Sequence, residues 1–341
     1  MPIRSILLAL FLLLAVRAEA QPVLDVAAVP GLDATGRAEY RRFLLANLPR
    51  AFAVSENGKA GWAGPAPSLD VARAVALERC ATLGGINCRW YAENLDVVWG
   101  HRPPAVMPPP GEPLIKGDGY VFIADDRYFW HGPRAAAGVY VWSHGKGPMI
   151  DSDNRGLEPE PHVRPFNNAG YDVVRFDRAP LADNPDRAAG WLADGLRRLR
   201  AMGYRRVVAG GESRGGWTSL QMVDAGDAAD VVIAVVPAAQ GTEASRLFKG
   251  QPDALRQVVG GANAPRLRLA VIQFAADPYA GDLAERDRIL SGLLGRVGGL
   301  LLIDRPDGLL GHGAAAGETF AERFGACLYR FASSPVAPSS C

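Results

Sequence analysis

The sequence predicts an α/β fold, a mostly parallel sheet with helices on both faces, preceded by a small α+β module. Three observations predict it. From residue 120 onward, short apolar runs alternate with segments of helical spacing, the rhythm of strands buried on both faces and joined by crossover helices. A stretch holding six prolines, His101 to Pro113, separates that rhythm from a different one before it. The chain has 341 residues, 48% of them apolar, enough to bury one large core and something smaller.

Taken in order, residues 1–20 read as a targeting signal. Arg4 supplies the positive start, Ile6 to Val16 the apolar run, and Ala18-Glu19-Ala20 a small-x-small cleavage pattern, so the mature chain is expected to begin near Gln21. The run falls short of the ~20 residues of a spanning helix. Residues 21–100 form the module, read as helix, strand, helix, strand: Ala38 to Leu48, Ala51 to Val54, Leu69 to Leu83 capped by Ser68, and Asp96 to Trp99. Residues 101–113 are read as a linker, because each proline fixes φ and removes a donor.

The domain of residues 114–332 carries the predicted strands Tyr120 to Ala124, Gly138 to Ser143, Asp172 to Phe176, Arg206 to Gly210, Val231 to Val236, Leu267 to Phe274 and Leu300 to Ile303. Between and after them fall helices over Pro185 to Met202, Ser213 to Asp224, Ala244 to Val259, Leu283 to Val297 and Gly313 to Ala332. Residues 333–341 are a Ser/Pro tail.

A net charge of +1 without blocks of like charge gives no reason to expect nucleic acid or an anionic membrane as partner. A small molecule or a polymer end is the expected substrate. Four cysteines in an exported chain favour disulfides; short loop closure pairs Cys80 with Cys88 and Cys327 with Cys341 out of three possible connectivities. Their spacing does not suit a metal. Neither a metal nor a cofactor is expected.

The chemistry concentrates at Gly211-Glu212-Ser213-Arg214-Gly215, a G-x-S-x-G placed after an apolar strand and opening a helix. Glycines two residues either side let the backbone turn sharply, leaving the serine hydroxyl exposed above a helix N-terminus. A hydroxyl needs a base to become a nucleophile. His312, between Gly311 and Gly313 after the last strand, is the best placed of five histidines; His101, His131 and His162 are read as surface residues. The acid that orients it is Asp277, after the strand ending at Phe274, with Asp282 as rival. Backbone N–H groups of Arg214 and Lys146, the latter in Ser143-His144-Gly145-Lys146-Gly147, are the candidate oxyanion donors, and His144 is read as bracing that loop.

On these motifs, residues from about 120 to 332 resemble the α/β-hydrolase family, with a flavour of its dienelactone-hydrolase-like and esterase branches. The resemblance implies an acyl-enzyme mechanism with Ser213, Asp277 and His312 as triad, and it extends to Asn168 through Asp177. The lysine after His-Gly departs from the family pattern, and the segment Pro237 to Pro265 is short for a large lid, so an open pocket is expected. The polar loop Gly147 to Arg164 could line it, and Arg178 is read as a surface ion pair. The N-terminal module resembles small cysteine-containing segments of exported bacterial proteins, through Ala51-Phe-Ala-Val54, Ala76-Leu-x-x-Cys80 and Cys88-x-x-Tyr91. It implies no activity.

Ester hydrolysis by an exported, periplasmic or secreted enzyme is the leading expectation. The same residues would serve an amidase, a peptidase or an acyltransferase, and a non-catalytic binding protein that keeps the fold is the reading from another class.

Overall fold

The computed structural model describes residues 22–99, 108–147, 149 and 151–341; the predicted targeting signal and most of the predicted linker, His101 included, lie outside them. The module has more strands than its sequence rhythm suggests. Helix α1 (Ala34–Leu45) is followed by β1 (Ala51–Val54), β2 (Ala60–Ala63), helix α2 (Leu69–Thr82), β3 (Arg89–Glu93) and β4 (Asp96–Val97). They form an antiparallel sheet in the order β2-β1-β3-β4. β1 shows why both helices are needed. Phe52 and Val54 pack with Tyr40 and Phe43 of α1, while Ala51 and Ala53 pack with Ala72, Ala76 and Cys80 of α2. The alanines bring α2 so close that a Cβ on Gly61 would lie 2.3 Å from the Cys80 nitrogen. Disulfides join Cys80 to Cys88 and Cys327 to Cys341, as loop closure suggests.

The main sheet has eight strands: β5 (Ile115–Gly117), β6 (Tyr120–Ala124), β7 (Gly138–Ser143), β8 (Tyr171–Arg178), β9 (Val207–Glu212), β10 (Val231–Val235), β11 (Ala264–Gln273) and β12 (Val297–Asp304). Their order is β5-β6-β8-β7-β9-β10-β11-β12. β6 runs antiparallel to both neighbours and the remaining pairs are parallel. Period-two alternation divides each strand between two cores. On β7, Val139 and Val141 face the layer that holds Leu192, Leu196 and Leu199 of helix α4 (Pro185–Met202). Tyr140 and Trp142 face the other layer, with Phe166 and Phe320.

The remaining helices are α3 (Arg164–Asn168), α5 (Arg214–Leu220), α6 (Gln251–Gly260), α7 (Leu283–Ser291), α8 (Glu318–Phe320) and α9 (Ala326–Ser333). α6 begins seven residues later than predicted, with a proline in its first turn. The predicted helix over Gly313 to Ala332 is broken. Gly317 is extended, and a π-helical segment, Ala321–Gly325, precedes α9 where Gly325 packs against Pro165.

Buried arginines clamp the module to the sheet domain. Arg50 stacks on Phe43 and donates to the carbonyls of Leu44, Ala46 and Asn94, and across to Asn168 Oδ1 at 2.7 Å. Arg164, read from sequence as part of a polar loop, is fully buried, lies 3.8 Å over the Tyr128 ring, and donates to Asn47 and to the Arg127 carbonyl. Burial pulls both guanidinium pKa values down. Replacing Arg50 with Met leaves several carbonyls unpaired in a dry site. The expected cost is about 3 kcal/mol or more, read as a lowered urea midpoint.

Candidate active site

Chain reversals at the carboxyl ends of β9, β11 and β12 build the site. Ser213 sits between β9 and α5 at φ 54°, ψ −118°, a conformation that disfavours any residue with a Cβ. Its backbone is held on three sides: its N–H donates to the Val235 carbonyl, and its carbonyl accepts from Trp217 and Ala238. The flanking glycines are required by contact. A Cβ on Gly215 would lie 1.8 Å from the Ser143 carbonyl oxygen, and one on Gly211 would lie 2.4 Å from the same atom. The Arg214 N–H opens α5 and, by its position, has no intrahelical acceptor.

Asp277 follows Ala276, another non-glycine residue at positive φ (58°). The loop bearing His312 is stitched to it by a bridge between Ala275 and Leu310 and by the Gly311 N–H donating to the Ala275 carbonyl at 2.8 Å. His312 Nδ1 lies 2.9 Å from both carboxylate oxygens of the buried Asp277. The Tyr279 ring packs at 4.4 Å from the imidazole. His312 Nε2 is buried and has no hydrogen-bond partner. It is therefore not bonded to Ser213 in the free protein. Asp282 does different work: it caps α7, accepting from the Glu285 N–H at 3.0 Å.

The loop after β7 is braced by His144 and Arg178. His144 Nδ1 donates to the Gly145 carbonyl at 2.7 Å and Nε2 accepts the Arg178 N–H at 3.1 Å, an arrangement that needs the neutral ring. Burial and the Arg178 charge push its pKa down to about 3. Arg178 is not at the surface as its sequence context suggests. It is fully buried, paired with Asp183, and donates to Ser143 Oγ and to the His144 carbonyl. That places Gly145 and Lys146 beside the serine turn: a Cβ on Gly145 would meet the Ser213 Cβ at 3.2 Å.

His162 departs further from expectation. It is fully buried, 3.2 Å from the Tyr140 hydroxyl and edge-on to Trp142 and Phe320, because its short helical turn packs beneath β7. His131 is half-buried and its N–H donates to Asp172.

Two glutamates to which the sequence reading gave no role lie beside the serine turn. Glu212, in the variable position of the serine turn, packs against Gly145, where a Cβ would lie 2.2 Å from its Oε1, and burial followed by the nearby Glu160 raises its pKa to about 7. Glu160 is buried, and that burial raises its pKa to about 8. Both line a cavity of about 550 Å³ with Trp142, His144 and Gly313. The only sequence signal was the acidic character of the loop between Gly147 and Arg164.

Because Glu160 holds its proton more tightly folded than unfolded, its contribution to stability is complete below pH about 4.5 and is lost as pH rises through about 8. Glu160→Gln carries no such proton. Urea midpoints at pH 5 and pH 9 should therefore fall less for Glu160→Gln than for the native protein.

The strand order, the serine turn after the fifth strand of the main sheet and the His loop after the last define an α/β-hydrolase fold. No protein-family model matches the chain. No curated protein matches it in sequence. Similar solved structures include a Pyrococcus furiosus esterase (15% identity, 66% of this chain and 99% of that one, TM-score 0.45). Others are a Pyrococcus horikoshii acylaminoacyl peptidase (13%, 67% and 41%, TM-score 0.47) and a Mycobacterium tuberculosis puromycin-hydrolyzing peptidase (16%, 65% and 38%, TM-score 0.42). This chain thus aligns with less than half of either peptidase.

Proposed function

We propose that the protein is a serine hydrolase that cleaves an ester of a small molecule through an acyl-Ser213 intermediate. The observation that supports it most is the strained Ser213 turn at the same sheet edge as an Asp277-oriented imidazole whose second nitrogen is unoccupied. In this reading His312 Nε2 takes the Oγ proton as Ser213 attacks the acyl carbon. The tetrahedral oxyanion forms against the N–H groups of Arg214 and Lys146. On collapse the leaving alkoxide receives the proton from His312; water, deprotonated by the same nitrogen, then releases the acid. Asp277 holds the ring with Nδ1 protonated and stabilises the imidazolium.

The reading includes export. Two disulfides are at home in an oxidising compartment, and among the described residues no helix is long and apolar enough to cross a membrane.

A fluorophosphonate probe tests the chemistry directly: the native protein should become labelled and Ser213→Ala should not. Equal labelling of the two would remove Ser213 from the mechanism.

A further inference from the structure

Three neighbouring strand ends, those of β10, β11 and β12, are joined by polar side chains that the proposed reaction does not use. The centre of the chain is Arg286 on α7, only 2% exposed. Its Nε donates to Gln273 Oε1 at 2.8 Å and its Nη2 to the Pro237 carbonyl at 2.9 Å. Gln273, the last residue of β11 and just as deeply buried, passes the connection on. Its Nε2 donates to Asp287 Oδ1 at 2.7 Å, and its carbonyl accepts from the Arg305 N–H at 2.8 Å. Arg305 closes the circuit by donating from Nη2 to Asp287 Oδ2 at 2.6 Å. These partners fix the Gln273 amide, oxygen toward a cation and nitrogen toward a carboxylate.

Each link leads to a member of the candidate triad. Pro237 follows Val236, which turns through a φ of 39°, and precedes Ala238, whose N–H donates to the Ser213 carbonyl at 3.1 Å. Gln273 stands four residues before Asp277. Arg305, at φ 47°, begins the segment that reaches His312. A guanidinium suits such a junction, because its rigid fork reaches two oxygens on different segments at once. Burial pushes the Arg286 pKa down to about 10, with Asp277 and Asp287 pulling the other way, so the group stays charged at neutral pH.

We infer that Arg286 is a positioning residue of the proposed hydrolase: by tying the Pro237 carbonyl to the end of β11 it sets the spacing between the Ser213 turn and the Asp277–His312 pair. The inference rests on the Ser213 reading of the site. Being buried, Arg286 acts through the loops alone. His312 serves both acylation and deacylation in that reading, so a displaced imidazole slows both steps and leaves KM nearly constant.

The test labels each preparation to completion with a fluorophosphonate, counts the reactive serines, and reads kcat and KM for p-nitrophenyl acetate per labelled site. Arg286→Met should lose about 10²-fold in kcat per site, the scale of a misplacement of about 1 Å, with KM within about twofold of native. Arg286→Lys keeps the charge but cannot span both acceptors, and should lose about 10-fold. Gln273→Met breaks the chain at its next link. It should resemble Arg286→Met, and the double variant should be no slower than the slower single one. Arg50→Met controls for destabilisation alone: it also strips carbonyls of a buried guanidinium, but at the module boundary, and should keep native kcat per labelled site.

Should Arg286→Met fail to fold, Arg286→Lys and Gln273→Met decide. Native kcat per site in both, a raised KM with kcat unchanged, or an equal loss in Arg50→Met overturns the inference while the hydrolase reading stands. A native protein that is neither labelled nor active overturns both.

Discussion

Ser213→Ala should lower kcat for an activated ester by about 10⁴-fold or more, to the level that the oxyanion site and binding alone sustain. The hydroxyl is the only nucleophile that the turn after β9 presents, and alanine keeps its Cβ and its backbone strain. Folding stability should therefore stay close to native. Ser213→Gly makes a sharper comparison. It removes the same oxygen but relieves a φ of 54°, so it should be equally inactive yet more stable by about 1 kcal/mol. Activity traces with p-nitrophenyl acetate and urea midpoints read the two effects separately. Retained turnover in either variant would assign the chemistry elsewhere.

The second large effect is expected at Asp277. Asp277→Asn keeps the shape but offers an amide where His312 Nδ1 needs an acceptor, inviting the wrong tautomer, and kcat should fall by about 10⁴-fold. Asp282→Asn should do little to kcat, because that side chain caps α7 and asparagine caps nearly as well. Measuring both variants at the same pH decides between two acids five residues apart. The opposite ranking would move the acid role to Asp282.

Much of the architecture was legible from residue order because buried parallel strands announce themselves as short apolar runs. Gly138–Ser143 and Pro185–Met202 coincide with their predicted bounds. β2 and β3 were missed because Ala60-Gly-Trp-Ala and the charged ends of Arg89–Glu93 lack the apolar alternation of an isolated strand. Their pairing with β1 is what makes them strands. At the site, G-x-S-x-G and Gly-His-Gly are local patterns, so Ser213 and His312 could be singled out. Glu160, Arg178 and His162 could not, since each owes its role to burial created by distant segments. A charged residue in a polar loop looks the same whether it meets solvent or Tyr128 and Trp142.

Four residues with side chains adopt positive φ at neighbouring strand ends: Ser213 after β9, Val236 after β10, Ala276 after β11 and Arg305 after β12. Each such conformation costs about 1–3 kcal/mol. Together they rival a whole domain's net stability of about 5–15 kcal/mol. The rim that carries the candidate site is thus held in shape only while the packed layers beneath stay rigid. Warming, or a cavity cut among distant leucines of α4, should relax this rim first. On the proposed function, loss of activity should then precede global melting, and turnover should be a more sensitive thermometer of the core than any spectroscopic signal.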